Sequence, residues 1–176
     1  LPVWLIEAYQ RRGVEFKQGY GLTEVGVNCF AMTVADSHRK HGSIGKPLPG
    51  LQARVVIASD GDTPEREAAV GEVGELVLKG PAITQGYFHQ PALSARALRD
   101  GWLHTGDLAR RDGDGFFYIV DRTDDLILTS AHNVYPSEVE AVLSSHPGVA
   151  EAAVIGKPDR LRGSSVCAYV VRRAES

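Results

Sequence analysis

Apolar positions follow one rhythm up to residues 122–124 and another after them. In residues 2–12, Leu5, Ile6 and Tyr9 share a helical face, Pro2 stands near the start and Gly13 at the end, which predicts a short helix. Residues 14–18, Val-Glu-Phe-Lys-Gln, alternate as a strand does and run into a Gly-rich turn at 19–21. From 42 to 118 short β-type segments are separated by Gly and Pro: 53–58, 74–79, and a hairpin of 107–111 with 115–120 turned by Asp112-Gly113-Asp114-Gly115. One helix, 91–99, interrupts them. Short strands at this spacing predict a small distorted barrel or sandwich.

Beyond Arg122, Leu126-Ile127-Leu128 and Asn133-Val134-Tyr135 flank a turn. Residues 136–145 then read as a helix with Val139, Val142 and Leu143 on one face and Glu138 and Glu140 near its positive end. Residues 149–155 and 166–171 read as two buried strands. A β-β-α-β-β unit of about 50 residues is marginal alone. The expected organisation is therefore mixed α/β (α+β): a β-rich, barrel-like part over 1–123 and a small α+β domain over 124–176.

Composition narrows the function classes. A net charge of −3 gives no electrostatic reason to expect nucleic acid or an anionic membrane as partner. Cys29 and Cys167 are isolated and read as small apolar residues of a reducing compartment. No apolar run approaches the roughly 20 residues that span a bilayer. The opening Leu-Pro-Val-Trp-Leu-Ile lacks a Met, a basic start and the length of a signal peptide. These features predict a soluble cytoplasmic protein cut from something longer.

Two constellations carry chemistry. In Gly19-Tyr20-Gly21-Leu22-Thr23-Glu24 the glycines allow close backbone approach to a ligand, and Tyr20 offers a flat face for a purine. Thr23 can bond a phosphate oxygen, and Glu24 can hold the Mg²⁺ of a triphosphate. A plain strand-to-loop turn with a solvated Glu is the competing reading. In Thr105-Gly106-Asp107, Asp107 at a strand end can accept from two ribose hydroxyls, and Arg122 can donate to the same sugar or to a phosphate. A turn Asp beside a surface Arg is the alternative there. His104 stands close enough in sequence either to line the pocket or to pack. Gly74-Glu75-Leu76-Val77-Leu78-Lys79-Gly80 and Gly86-Tyr87-Phe88 read as scaffold, and His38 and His41 as solvated loop histidines.

Taken in order, these motifs resemble the adenylate-forming enzymes, specifically the fatty-acyl-CoA ligases. The resemblance runs on through Ser43-Ile44-Gly45-Lys46-Pro47, Gly101-Trp102-Leu103-His104, Asp121-Arg122-x-Asp124, Asn133-Val134-Tyr135-Pro136 and His146-Pro147-Gly148-Val149. It implies a C-terminal-half fragment: the end of a large AMP-binding domain and the first part of a lid domain. It implies an acid–thiol ligase reaction with ATP, Mg²⁺ and CoA. A carboxylate attacks the α-phosphate to give acyl-AMP and pyrophosphate, and the CoA thiol then displaces AMP. By resemblance Tyr20 stacks on adenine, Gly19 and Gly21 border the acyl and nucleotide sites, and Thr23 and Glu24 serve phosphates and Mg²⁺. Asp107 and Arg122 hold the ribose, and Asp124 is a hinge.

Two departures stand out. The family's phosphate loop is expected upstream of residue 1 and its catalytic lysine beyond residue 176, so this chain alone is expected to be inactive. A Gly-Gly pair usual in the pantetheine tunnel is replaced by Ser130-Ala131, whose Cβ atoms are expected to narrow the tunnel or bar a positive φ. A non-catalytic nucleotide-binding or interaction module, and an adenylating enzyme with another acceptor (an acyl-AMP ligase or a carrier-protein-loading domain), are the competing functions.

Overall fold

Proline and glycine punctuation sets where elements begin and end in the computed structural model, which describes residues 3–58, 65–130 and 132–173. The chain divides into two compact units, Leu1–Ile119 and Val120–Ser176.

In the first unit α1 (Val3–Gln10) buries Ile6 and ends in a turn at Gly13, whose φ is 73°. Residues 14–18 form no strand, contrary to their alternation. A strand needs a neighbouring edge to bond to, and no described strand lies against this segment. Three strands follow as an antiparallel sheet in the order β1 (Tyr20–Leu22), β2 (Gly26–Ala31), β3 (Lys46–Pro47). Between β2 and β3 sits α2 (Val34–Ser37), a single turn missing from the sequence reading, with Thr33 as N-cap accepting from Asp36 N.

The second sheet is built from β4 (Gln52–Ile57), β5 (Arg66–Glu67), β6 (Gly74–Lys79), β7 (Leu98–Arg99) and β8 (Trp102–Arg111), in the order β5-β4-β6-β8-β7, with β9 (Phe117–Arg122) also on β8. The intervening helix α3 (Pro91–Ala97) stops short of residue 99 because Leu98 and Arg99 turn extended and pair with Leu103 and Trp102.

Both sheets of this unit share one core. Cys29 and Phe30 from β2, Ile44, Val55, Leu76, Leu78, Leu103, Ala109 and Phe117 are all buried in it. Phe30 stands edge-on to Phe117 at 5.3 Å and to Tyr20 at 5.6 Å, so an aromatic row runs from the core to β1. Ser43-Ile44-Gly45 staples the sheets: the buried Ser43 hydroxyl donates to Phe117 O at 2.8 Å and accepts from Gly45 N at 2.9 Å. A Cβ on Gly45 would lie 2.2 Å from Ala31 O, at a φ of 97°, so only glycine fits. Burial raises the Cys29 thiol to about 11, as expected of a packed rather than reactive cysteine.

In the second unit the end of β9 leads into a 3-10 turn, Thr123–Asp125. Its sheet has the order β11-β10-β13-β12, formed by β10 (Ile127–Thr129), β11 (His132–Val134), β12 (Val149–Asp159) and β13 (Gly163–Arg172). Helix α4 (Pro136–Ser144) packs on β12. The expected Val142 face is corrected: Val142 is 72% exposed, and the inward stripe is Pro136, Val139, Glu140 and Leu143. Those four lie at i, i+3, i+4 and i+7, as a packed helix face requires. Strands β12 and β13 are longer than expected and largely exposed, with Val154 the buried member. One short helix cannot cover a hairpin with strands of 11 and 10 residues, so an apolar sequence alone did not secure burial. No helix among the described residues is long and apolar enough to cross a membrane.

Candidate nucleotide site

Strands β1 and β2 close a tight hairpin through the turn at Thr23–Val25, with Val25 N donating to Leu22 O at 3.0 Å. Gly21 is dictated by this closeness, because a Cβ there would meet Val27 O at 2.3 Å. The sequence reading gave Gly21 to a ligand; the backbone of β2 already demands it. A Cβ on Gly19 would meet the Asn28 side chain at 2.7 Å, a contact that a side chain can relieve.

Thr105-Gly106-Asp107 is not a turn after a strand, as the sequence suggested, but a bulge inside the ten-residue β8. Glu75 pairs with Leu108 and Val77 with His104, so these three residues oppose Leu76 alone. Gly106, at φ 73°, supplies the left-handed step. Side chains replace the missing ladder bonds: Thr105 Oγ1 donates to Leu76 O at 2.8 Å and accepts from Asp107 N at 3.1 Å. Gly106 N donates to Glu75 Oε1 at 3.1 Å.

The bulge turns Asp107 towards β1, where the Tyr20 hydroxyl donates to Asp107 Oδ2 at 2.5 Å. Residues 87 positions apart are thereby joined, and the two chemistry-bearing motifs become one surface. Burial first, and then the bond to the Asp107 carboxylate, push the Tyr20 phenol well above its ordinary value, so it remains a donor. Two residues before Tyr20 in the chain, Gln18 Oε1 is a buried acceptor with no hydrogen-bond partner among the described residues.

Glu24 is held from a segment that reads as scaffold in the sequence. Tyr87 Oη donates to Glu24 Oε1 at 2.7 Å, and Thr84 N donates to Glu24 O at 2.7 Å. Tyr87 is therefore a site residue that sequence reasoning missed; its signal was an aromatic directly after Gly86, whose φ is 142°. A carboxylate has acceptor capacity for about four partners, so the Tyr87 bond leaves room for a cation that keeps most of its waters. Glu24 thus fits a Mg²⁺ ligand. Thr23 is exposed on the turn.

His104 is packed rather than open, with 7% of its side chain exposed and Nδ1 2.9 Å from Glu75 Oε2 and 2.6 Å from Arg99 Nη2. His41 Nε2 lies 3.0 Å from Gln10 Oε1, and His38 caps α2. Lys40 reaches Asp112 at 2.7 Å and Asp114 at 2.6 Å, clamping the β8–β9 hairpin turn.

In the second unit Asp121 has a structural task. Its carboxylate accepts from Ser137 N at 3.0 Å, in the first turn of α4, and from Arg122 N at 2.8 Å. Arg122 and Asp124 are exposed. Ser130 takes a positive φ of 47° despite its Cβ, so the expected bar to that conformation does not hold. Ala131 lies outside the described residues.

A family model described as AMP-binding enzyme matches residues 1–88, and one described as AMP-binding enzyme C-terminal domain matches residues 138–176. The chain belongs to the AMP-binding, adenylate-forming enzymes. Among curated members of this family it is 44% identical over 176 residues to the medium/long-chain-fatty-acid–CoA ligase FadD8 of Mycobacterium tuberculosis, covering 99% of the chain and 30% of that protein. It is 44% identical over 172 residues to the 2-succinylbenzoate–CoA ligase of a Geobacillus species, covering 98% of the chain and 34% of that protein. Among solved structures, the o-succinylbenzoate CoA synthetase of Bacillus subtilis in complex with its acyl-adenylate intermediate superposes with a TM-score of 0.88 at 37% identity, covering 99% of the chain and 35% of that enzyme. The chain thus spans about a third of the length of the relatives it matches. These AMP-binding relatives are CoA ligases whose acids differ.

Proposed function

We propose that the chain is the nucleotide-binding and lid portion of an AMP-forming acid–CoA ligase, and that a fatty acid is its substrate. The observation that carries the reading is the Tyr20–Asp107 hydrogen bond, which joins the two motifs on one surface. Kinship with ligases of a fatty acid and of an aromatic acid, each 44% identical, supports the reaction class, and the resemblance of the motifs to fatty-acyl-CoA ligases supports the finer choice. In this reading the Tyr20 ring faces adenine while Gly19 and Gly21 border the nucleotide and acyl sites. Asp107 and Arg122 take the ribose hydroxyls. Thr23 bonds a phosphate oxygen. Glu24 would hold the Mg²⁺ whose charge offsets that of the triphosphate. Residues 1–123 belong to the large domain and 124–176 to the lid, with Asp124 as pivot and Ser130 and Ala131 beside the pantetheine of CoA.

The acid's oxygen attacks the α-phosphorus and expels pyrophosphate. The CoA sulfur then attacks the acyl carbon and expels AMP. The test is acid-dependent ATP–pyrophosphate exchange by the full-length enzyme across fatty and aromatic acids. Glu24→Gln is expected to slow exchange by about 10²-fold or more, the scale of losing a charge-stabilising group. Exchange near the wild-type rate would return Glu24 to a surface role, and preference for aromatic acids would reject the fatty-acid assignment.

A further inference from the structure

We propose that Glu75 is a positioning residue for nucleotide binding, setting the bulge that aims Asp107 at its ligand. The proposal rests on the reading of Asp107 as a nucleotide contact. Three residues of β8 stand opposite one of β6, so the strand ladder cannot satisfy or orient them by itself. Glu75 sits at the foot of the bulge, opposite Leu108, and its Oε1 takes the Gly106 amide at 3.1 Å. Its other oxygen, Oε2, lies 2.9 Å from His104 Nδ1 and 3.7 Å from Arg99 Nη2. The carboxylate is 18% exposed and held from both ends.

Gly106 has the freest backbone in the segment and stands at φ 73°. Its amide is the handle by which that freedom is removed, and Glu75 is the side chain on the handle. Asp107 is the next residue, so a relaxed Gly106 redirects Asp107 without altering it. Glu75 therefore acts through Asp107 and touches no nucleotide. His104 and Arg99 act one step further out, by fixing the rotamer of Glu75.

The experiment is a double-mutant cycle on the full-length enzyme, read by calorimetric Kd for Mg-ATP, by KM for the acid, and by amide exchange at Gly106. Glu75→Ala is expected to raise the Kd about ten-fold, in the range of a lost buried partner, with acid KM unchanged and Gly106 exchange accelerated. Glu75→Gln keeps an acceptor for Gly106 and is expected to stay within about three-fold of wild type, within a typical single neutral hydrogen bond. In an Asp107→Ala background, Glu75→Ala is expected to add almost nothing, because coupled residues are non-additive. Should Glu75→Ala not fold, Glu75→Asp, one methylene short of Gly106, carries the same expectation. If Asp107→Ala weakens ATP but Glu75→Ala does not, or if their effects multiply, the positioning role is overturned while the Asp107 reading stands. If Asp107→Ala leaves the Kd unchanged, the Asp107 reading falls and the positioning role with it.

Discussion

Ser130 holds a left-handed backbone, φ 47°, that glycine would hold without steric cost. A Cβ in that region costs about 1–2 kcal/mol, and glycine returns part of it through a freer unfolded chain. Ser130→Gly is therefore expected to stabilise the β10–β11 hairpin by about 0.5–1 kcal/mol. Slower amide exchange at 127–129 and 132–134 checks this; unchanged or faster exchange would mean that local contacts of Ser130 outweigh the strain. Ser130 N donates to Arg162 O at 3.0 Å, and the His132 ring lies 3.0 Å from Ser130 O. Both bonds use the backbone of residue 130, so glycine keeps them. Residue types were legible in the sequence at Tyr20, Glu24 and Asp107 because each carries its own chemistry. Glu75 and Tyr87 were not, since their importance is a bond to a residue distant in the chain.

At the scale of elements, α4 shows how one carboxylate can replace a local cap. Tyr135 precedes the helix without a side-chain cap, and Asp121, sixteen residues upstream, accepts from Ser137 N instead. Its charge also faces the positive end of the helix. Asp121→Ala is expected to cost about 1 kcal/mol, which speeds amide exchange across 136–144 roughly five-fold. Exchange unchanged in α4 would show that the Ser137 Oγ bond to Val120 O suffices. A second carboxylate, Glu140, faces inward from α4 and accepts from Val154 N at 2.8 Å, which caps the open side of the edge strand β12. The sequence announced α4 through Pro136 and its period. Of the expected face Val139 and Leu143 turn inward and Val142 does not, because the inward stripe runs through Glu140, whose carboxylate takes the Val154 amide. The β8 bulge escaped notice for a related reason: alternation reveals a strand, but an excess of residues appears only against a partner strand. Residues 14–18 show the converse, a strand-like pattern with no described edge to join.

At the scale of the whole molecule, β9 carries the chain from the first compact unit into the second, and the 3-10 turn at Thr123–Asp125 follows it directly. The two half-reactions proposed above would need a pivot that tolerates large backbone rotation. Asp124 is exposed and its side chain is not buried in either unit, so it can rotate without opening a core. Asp124→Pro would fix φ near −65°, which suits the present 3-10 conformation at 124, and would disfavour the helical conformation of Thr123. The substitution restricts which arrangements the pivot can reach but removes none of the proposed ligand side chains. In the full-length enzyme it is expected to change acyl-AMP formation and thioester formation unequally, one by several-fold more than the other. Pyrophosphate release in a single turnover reads the first step, and transfer from pre-formed acyl-AMP to CoA reads the second. Equal losses in both steps would indicate general destabilisation, and no loss in either would move the pivot away from residue 124.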